Sequence, residues 1–158
     1  MVGIPVAMGM GAAYEALQKG VADVHFAPPE VLKGWKHAEV IKYTLESYSV
    51  SYSNGFYVIM NLDKWNSLPT DVQKIFELVS VEWIGKHGKA WDESDVEGLA
   101  YSKSLGNQVI PLSAAESDRW AKIVEPTSDE YVKQMSAKGF PAQDYVDYIR
   151  ALIVKYMK

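Results

Sequence analysis

The longest uninterrupted helical pattern in the chain is PTDVQKIFELVSVEWIGKHGKAWDESDVEGLAYSKSL, residues 69–105. Pro69 is a favourable first residue for a helix, and no other proline occurs before Pro111. Apolar residues recur at helical spacing on one face of the first half, at Val72, Ile75, Phe76, Val79 and Trp83. Three internal glycines weaken the pattern without ending it. The stretch therefore predicts one long helix.

The length of this helix constrains the architecture. At about 1.5 Å per residue, it would span roughly 55 Å. A compact domain of 158 residues has a radius of gyration of roughly 15 Å, which is too small to bury such a helix along its whole length. Either the helix kinks between Gly85 and Gly88, or it bridges two lobes.

Shorter strands and helices alternate on both sides of the long helix, which indicates an α/β fold. Strands are predicted at residues 2–10, 21–27, 56–60 and 107–112. Helices are predicted at residues 12–19, 30–43, 113–124 and 126–139, with a final helix after Pro141. Gly20 is expected to end the first of these helices, and Ser113 with Glu116 is expected to form a capping box.

The hydrophobic core is expected where the strand at 56–60 meets the long helix. Its predicted members are Phe56, Val58, Val72, Ile75, Phe76 and Val79. If Phe76 is fully buried there, truncating it to alanine should cost roughly 3–5 kcal/mol.

Composition limits the class of protein. The chain is 48% hydrophobic and 23% charged with a net charge of -4, which is typical of a globular protein. Its only arginines are Arg119 and Arg150, and it has no basic run, so we expect no nucleic-acid partner. Cysteine is absent, which excludes disulfides and thiol chemistry. No apolar run is long enough for a membrane-spanning helix, and the N-terminus lacks the pattern of a signal peptide.

The three histidines are the candidates for catalysis or metal binding. His25 lies two residues from Asp23, so a small hydrolase using His25 stays open as an alternative function. However, the chain contains no Gly-x-Ser-x-Gly motif and none of the usual metal-ligand spacings. His87 lies four residues from both Trp83 and Trp91 and is interpreted as a structural residue on a helix face. We therefore expect no catalytic residue, no metal and no cofactor.

A second candidate region is YSVSYSNG, residues 48–55, which places hydroxyl and amide groups beside aromatic rings. Such groups can orient a small polar ligand without a charged contact. The same composition would also suit a solvated connection between lobes. Both interpretations remain open on composition alone.

Four segments form a combined pattern: YEALQKGVAD at 14–23, EVLKGWK at 30–36, KWNSLP at 64–69 and DVQK at 71–74. The first is similar to the signature Tyr-x-Ala-Leu-Gln-x-Gly-Val-Val-Asp, with Ala22 in place of the second valine. Together with residues 56–61 and 139–156, they resemble the C-terminal half of the solute-binding proteins of TRAP (tripartite ATP-independent periplasmic) transporters of the DctP type. The resemblance covers essentially the whole chain.

This resemblance implies the C-terminal portion of a two-lobed periplasmic-binding-protein-like fold, in which one long helix spans both lobes. Residues 1–52 and about 93–158 would be second-lobe elements, and residues from about 53 to 92 would be a crossover strand and helix contributing to the first lobe. It also implies a periplasmic receptor that captures a small organic acid, usually a carboxylate. Membrane permease subunits would receive this solute for sodium-driven uptake, and no reaction would be catalysed.

Residue-by-residue carry-over from the family implies ligand contacts at Met10, Phe26, Ala27, Ser51, Tyr52 and Asn54. The family's main anchor is an arginine on a strand that would precede residue 2, so the chain as given matches a truncated fragment. Neutral hydrogen bonds contribute roughly 0.5–1.5 kcal/mol each, so we expect organic acids to bind no more tightly than about millimolar.

Apolar surface on the long helix would be left uncovered in such a chain. We expect self-association to cover it, with the helix exchanged between copies. An oligomeric helical interaction module without a ligand is accordingly the main alternative function.

Overall fold

The computed structural model describes residues 3–50 and 56–156, and its regular structure is mostly helical. The helices are α1 Met10–Gln18, α2 Val31–Gly34, α3 Leu62–Asn66, α4 Thr70–Ser104, α5 Ala114–Val124, α6 Pro126–Ser136 and α7 Ala142–Tyr156. The strands are β1 Tyr43–Glu46 and β2 Gln108–Pro111. Single 3₁₀ turns occur at His37–Glu39 and Tyr48–Val50.

The described residues form two compact units. The first contains residues 3–45 and 56–110, and the second contains residues 46–50 and 111–156. In the first unit, α2 packs against α4 and against the 3₁₀ turn that follows it. In the second unit, α5 packs against the other 3₁₀ turn and α6, and α6 packs against α7. The assignment of residues to two lobes stays a prediction.

The predicted long helix is confirmed. Helix α4 has 35 residues and continues through Gly85 and Gly88, so it is about 52 Å long. At its C-terminal end Gly106 has a φ of 79°. This left-handed residue lets the Asn107 N–H donate to the Ser102 carbonyl at 3.2 Å, which closes the last turn. All of α4 lies in the first unit.

Two other helix ends are also confirmed. Gly20 follows α1 with a φ of 68°, and the Val21 N–H donates to the Ala16 carbonyl at 2.8 Å. At the start of α5, the Ser113 hydroxyl accepts the Glu116 N–H at 3.3 Å. These ends follow from contacts within a few residues, and the sequence contains all the partners.

The two strands form a two-stranded sheet. The Gln108 N–H donates to the Lys42 carbonyl at 2.9 Å, and the Leu112 N–H donates to the Glu46 carbonyl at 3.0 Å. From the first of these bonds to the second, the residue number rises by about four on each strand, so the two strands run parallel. The strand predicted at 107–112 is confirmed.

The other three strand predictions, at 2–10, 21–27 and 56–60, are wrong for the residues that the structure describes. These stretches are irregular, and α1 already begins at Met10. Their exposed large side chains include Ile4, Val6, Val24, Tyr57, Val58 and Ile59. A strand requires a neighbour that satisfies its backbone groups. Within the described ranges, no strand lies beside any of the three.

The helix predicted at 30–43 is also wrong beyond its first turn. Helix α2 ends at Gly34, and Lys36 adopts a left-handed φ of 60°. A left-handed residue cannot continue a right-handed helix. The chain therefore turns at Lys36, and the last predicted helical residue, Tyr43, begins β1.

The predicted core is wrong as well. Of its members, Phe56, Val58, Ile75, Phe76 and Val79 are exposed and Val72 is half-buried. Among the residues that the structure describes, the buried apolar ones are instead Ala13, Ala16, Val31, Leu32, Ala38 and Ala142. The helical spacing on α4 identifies an apolar face whose side chains are mostly exposed. Helix α3 contacts this face through Trp65, whose ring meets Phe76 edge to face. None of the described helices is both long and apolar enough to cross a membrane.

Candidate functional site

Three of the six predicted ligand contacts fall within the described residues, and all three lie in the first unit. Met10 is the first residue of α1 and is half-buried. The preceding residue, Gly9, occupies the N-cap position. The other three, Ser51, Tyr52 and Asn54, lie outside the described residues.

Phe26 and Ala27 lie in the irregular segment that leads into α2. Phe26 is 55% exposed, and Ala27 is half-buried. The following Pro28 accepts the Val31 N–H at 3.3 Å, which begins the first turn of α2. The segment therefore presents an aromatic ring at the surface, immediately before a short helix.

A pair of histidines lies directly beside this segment. The Nδ1 atoms of His25 and His37 are 3.2 Å apart, and the rings meet edge to face at 61°. His37 is 1% exposed, and its Nε2 atom has no hydrogen-bond partner among the described residues. Burial lowers the pKa of both imidazoles, and the charge of His25 lowers the pKa of His37 further. Both rings are therefore held neutral near pH 7.

The His37 end of this pair is rigidly seated. Ala38, the next residue, is buried, and its carbonyl accepts the Asn107 amide at 2.6 Å. The same Asn107 amide lies 3.4 Å from the Ser102 hydroxyl at the end of α4. These contacts attach the 3₁₀ turn to the end of α4 and to the start of β2.

Glu39 makes a second attachment from the same turn. Its carboxylate accepts hydrogen bonds from the Tyr14 hydroxyl at 3.4 Å and the Tyr101 hydroxyl at 3.2 Å. Helices α1 and α4 are thereby joined through one carboxylate. Desolvation raises the pKa of Tyr101, and the Glu39 carboxylate raises it further, which keeps this hydroxyl protonated as a donor.

Helix α2 meets α4 through backbone and charged groups. The Glu30 N–H donates to the Asp95 carboxylate at 2.8 Å, and Lys33 pairs with Glu97 at 2.5 Å. Gly98 lies directly against the carbonyl of Pro29. Desolvation raises the pKa of the Glu30 carboxyl, with a smaller contribution from the nearby Asp95 charge.

The remaining histidine behaves as the sequence predicts. His87 accepts the Trp91 indole N–H at 2.9 Å across one turn of α4. Phe56 stacks on Trp91 with ring centres 5.0 Å apart. His87 is therefore part of an aromatic cluster on the helix surface.

Sequence reasoning missed the histidine pair because its members are twelve residues apart on different elements. The alternation of Asp23 with His25 points to the wrong partner, since the His25 Nδ1 atom faces His37. Nothing in the geometry of Asp23 therefore supports the hydrolase alternative. No group of three or more potential metal ligands occurs in the described part of the chain.

Both arginines of the chain, Arg119 and Arg150, belong to the second unit. Arg119 is bound to Glu116 on its own helix, with contacts of 2.7, 3.0 and 3.1 Å. Its guanidinium is thus occupied by an intrahelical ion pair.

Comparison with known proteins adds the family. The profile of the family described as "DctP: Bacterial extracellular solute-binding protein, family 7" matches residues 1–134. The C4-dicarboxylate-binding periplasmic protein DctP of Rhodobacter capsulatus is 29% identical over 140 residues, which are 88% of this chain and 41% of that protein. An uncharacterised protein of Haemophilus influenzae is 26% identical over 130 residues, 82% of this chain and 39% of its own length.

Three solved structures share the fold. A TRAP periplasmic solute-binding protein of Desulfovibrio salexigens in an open complex is 33% identical with a TM-score of 0.77, over 96% of this chain and 47% of that one. A second TRAP periplasmic solute-binding protein from Desulfovibrio salexigens, with bound orotic acid, is 28% identical with a TM-score of 0.76. The match covers 94% of this chain and 47% of that one. A TRAP solute-binding protein of Rhodoferax ferrireducens with copurified benzoate is 25% identical with a TM-score of 0.80. The match covers 96% of this chain and 48% of that one.

The chain spans about half the length of these crystallised proteins and about two fifths of the curated relatives. The described residues, mostly helical with one two-stranded sheet, are accordingly part of the α/β fold of TRAP solute-binding proteins. Since the family profile covers residues 1–134 of 158, the chain belongs to the DctP family of bacterial extracellular solute-binding proteins, family 7.

Proposed function

We propose that this chain serves as the solute-binding subunit of a TRAP transporter, capturing a small organic acid outside the cytoplasmic membrane for sodium-driven uptake by permease subunits. The observation that carries the proposal is the family match over residues 1–134, together with a shared fold in proteins solved with orotic acid and benzoate. Both of those solutes are aromatic carboxylates. The role is capture and delivery in the periplasm, without catalysis.

Met10, Phe26 and Ala27, with Ser51, Tyr52 and Asn54, are the proposed ligand contacts. The exposed Phe26 ring offers a face on which an aromatic or aliphatic acid can pack. In this proposal, residues 1–52 and about 93–158 belong to one lobe and residues from about 53 to 92 to the other. The long helix then spans both.

The first unit contains no arginine that could bind a carboxylate. Aromatic packing and neutral hydrogen bonds each contribute roughly 0.5–1.5 kcal/mol, which is small beside the entropy lost on binding. The chain alone should therefore bind organic acids no more tightly than about millimolar, a free energy near -4 kcal/mol.

Chemical-shift titration of the isotopically labelled chain suits this affinity range. Benzoate is the probe, and benzamide, which has the same ring without the charge, is the matched control ligand. We expect benzoate to shift the amide signals of Met10, Phe26 and Ala27. In the Phe26→Ala variant, affinity should fall about two- to tenfold, the loss of one aromatic contact.

Val24→Ala is the matched control variant, since Val24 lies in the same irregular segment and is 80% exposed. Its affinity for benzoate should match that of the unaltered chain. Benzoate binding at micromolar concentration would contradict the expected affinity, and equal affinities of Phe26→Ala and Val24→Ala would reject Phe26 as a ligand contact. Equal shifts with benzamide would mean that the chain alone recognises the ring and not the charge.

The exposed apolar face of α4 supports a second proposal, that the chain self-associates. Ile75, Phe76, Val79 and Trp83 recur at helical spacing and are all exposed. A second copy of the chain would bury this face by supplying its own α4. Light scattering after size exclusion should find a dimer or larger species, and Val79→Lys should shift it towards monomer. A strict monomer at high concentration would contradict this proposal.

A further inference from the structure

The proposed ligand contact Ala27 is joined to α2 by two consecutive prolines. Pro28 and Pro29 follow Ala27 directly, and α2 begins at Val31. A proline ring fixes its own φ at about -65°, and it also restricts the residue before it to extended conformations. The connection from Ala27 to Glu30 therefore contains few torsions that can change. A contact that holds the peptide group between Pro29 and Glu30 will also hold Ala27.

The first turn of α2 leaves one backbone donor for a partner outside the turn. The two prolines have no N–H. The N–H groups of residues 31–34 donate to the carbonyls of residues 28–30, at distances from 2.9 to 3.3 Å. The Glu30 N–H is the donor that remains. Because a backbone N–H that is removed from water needs an acceptor, this group requires one from elsewhere in the chain.

Asp95 of α4 supplies this acceptor. Its carboxylate accepts the Glu30 N–H at 2.8 Å, and both residues are half-buried. A hydrogen bond to a charged acceptor is roughly twice as strong as a bond between two neutral groups. The two residues are 65 positions apart in the sequence, so this bond attaches the start of α2 to a distant part of the long helix.

The carbonyl of the same peptide group also meets α4. A β-carbon on Gly98 would overlap the Pro29 carbonyl oxygen, so glycine is the residue that lets the two backbones approach this closely. Asp95 and Gly98 are three residues apart and lie on the same face of α4. Because a peptide group is planar and rigid, contacts at its N–H and at its carbonyl fix both its position and its orientation.

We propose that Asp95 is a positioning residue for solute capture, because it holds the Pro29–Glu30 peptide group on α4 and thereby sets the position of Ala27. Gly98 supports the other end of the same peptide group. Asp95 acts on the solute through Ala27. This consequence for binding rests on the proposed function, whereas the effect of Asp95 on the position of Ala27 does not.

The first test is made without ligand, by NMR on the isotopically labelled chain. In Asp95→Ala, exchange of the Glu30 amide proton should become about ten- to hundredfold faster, the loss of a hydrogen bond to a charged acceptor. The amide and methyl signals of Ala27 should shift in the same variant. Asp95→Asn keeps an oxygen that can accept the Glu30 N–H, so it should restore the Ala27 signals and give an intermediate exchange rate.

Asp92→Ala is the matched control, because Asp92 is an exposed aspartate three residues earlier on the same helix. It should change neither the Ala27 signals nor the exchange of the Glu30 amide. Unchanged Ala27 signals in Asp95→Ala, or an Asp95→Asn variant that behaves like Asp95→Ala, would overturn the inference. If Asp95→Ala does not fold, Gly98→Ala replaces it, and unchanged Ala27 signals there would overturn the inference equally.

Benzoate titration of the same variants tests the consequence for binding. Affinity should fall about two- to tenfold in Asp95→Ala, the loss of one well-placed contact, and should recover in Asp95→Asn. It should be unchanged in Asp92→Ala. If the Ala27 signals shift in Asp95→Ala but benzoate affinity is equal in all of these chains, Asp95 positions Ala27 in the fold and the role of Ala27 in capture is rejected.

Discussion

Replacing Gly98 with alanine should loosen the junction between α2 and α4. Gly98 is buried on α4, and a β-carbon at this position would overlap the Pro29 carbonyl oxygen. It would also lie 2.9 Å from the Pro29 carbonyl carbon and 3.3 Å from Cα of Glu30. All three are backbone atoms, so no side chain can rotate away. Either α2 or α4 must move.

The change in stability caused by Gly98→Ala is the difference between two opposing effects. Forcing an extra methyl group into a packed site costs about 1–3 kcal/mol. Alanine is favoured over glycine in a helix interior by about 0.8–1.0 kcal/mol. Gly88→Ala is the matched control, because it lies on the same helix and its β-carbon would meet nothing within 4 Å. The helix-propensity gain is common to both variants, so Gly98→Ala should be about 1–3 kcal/mol less stable than Gly88→Ala.

Hydrogen exchange measured on peptides covering α2 and the C-terminal part of α4 reports the local opening free energy of this junction. Protection in both peptides should fall in Gly98→Ala relative to Gly88→Ala. Peptides from α6 and α7, which belong to the second unit, serve as a reference. If hydrogen-exchange protection of these peptides is equal in the two variants, α2 does not pack on Gly98 and the reasoning is refuted.

Three further substitutions test separate contacts by urea unfolding. Asn107→Ala should cost about 1–3 kcal/mol, because it leaves the buried Ala38 carbonyl without its 2.6 Å partner; a neutral result would contradict this bond. Phe76→Ala should cost about 1 kcal/mol, since Phe76 is 44% exposed and has only an edge contact with Trp65; a loss of about 3–5 kcal/mol would mean that this face is covered in solution. Ser113→Ala should cost about 0.5–2 kcal/mol through the lost cap of α5, and Ser113→Asp should restore it.

Most features predicted correctly have partners that lie nearby in sequence, and the strand at 107–112, which pairs with Tyr43–Glu46, is the exception. Gly20 ends α1 and Ser113 begins α5 through bonds that span five residues or fewer. The continuity of α4 through Gly85 and Gly88 likewise needs only the backbone bonds within the helix. A pattern read over a short window contains all of this information.

The failed strand and core predictions required a distant partner. Residues 56–60 have the composition of a strand, but strand propensity measures fit to a paired and half-buried surface, which the described residues do not supply. The helix predicted at 30–43 ended early because Lys36 takes a left-handed conformation for which its side chain gives no signal. The His25–His37 contact also escaped prediction, because it joins residues on two different elements. No local pattern could have paired these two residues.

The size of the buried side chains explains why cover for α4 matters to this chain. Among the described residues, the buried apolar side chains are four alanines with one valine and one leucine. A buried methyl group contributes only about 0.8 kcal/mol, whereas a fully buried Ile, Phe or Val contributes about 1.5–3 kcal/mol. Ile75, Phe76 and Val79 would therefore gain more from being covered than the three buried alanines of the first unit gain now. A surface that covered α4 would therefore contribute more to stability than these alanines do, so stability and association state must be measured together at each protein concentration.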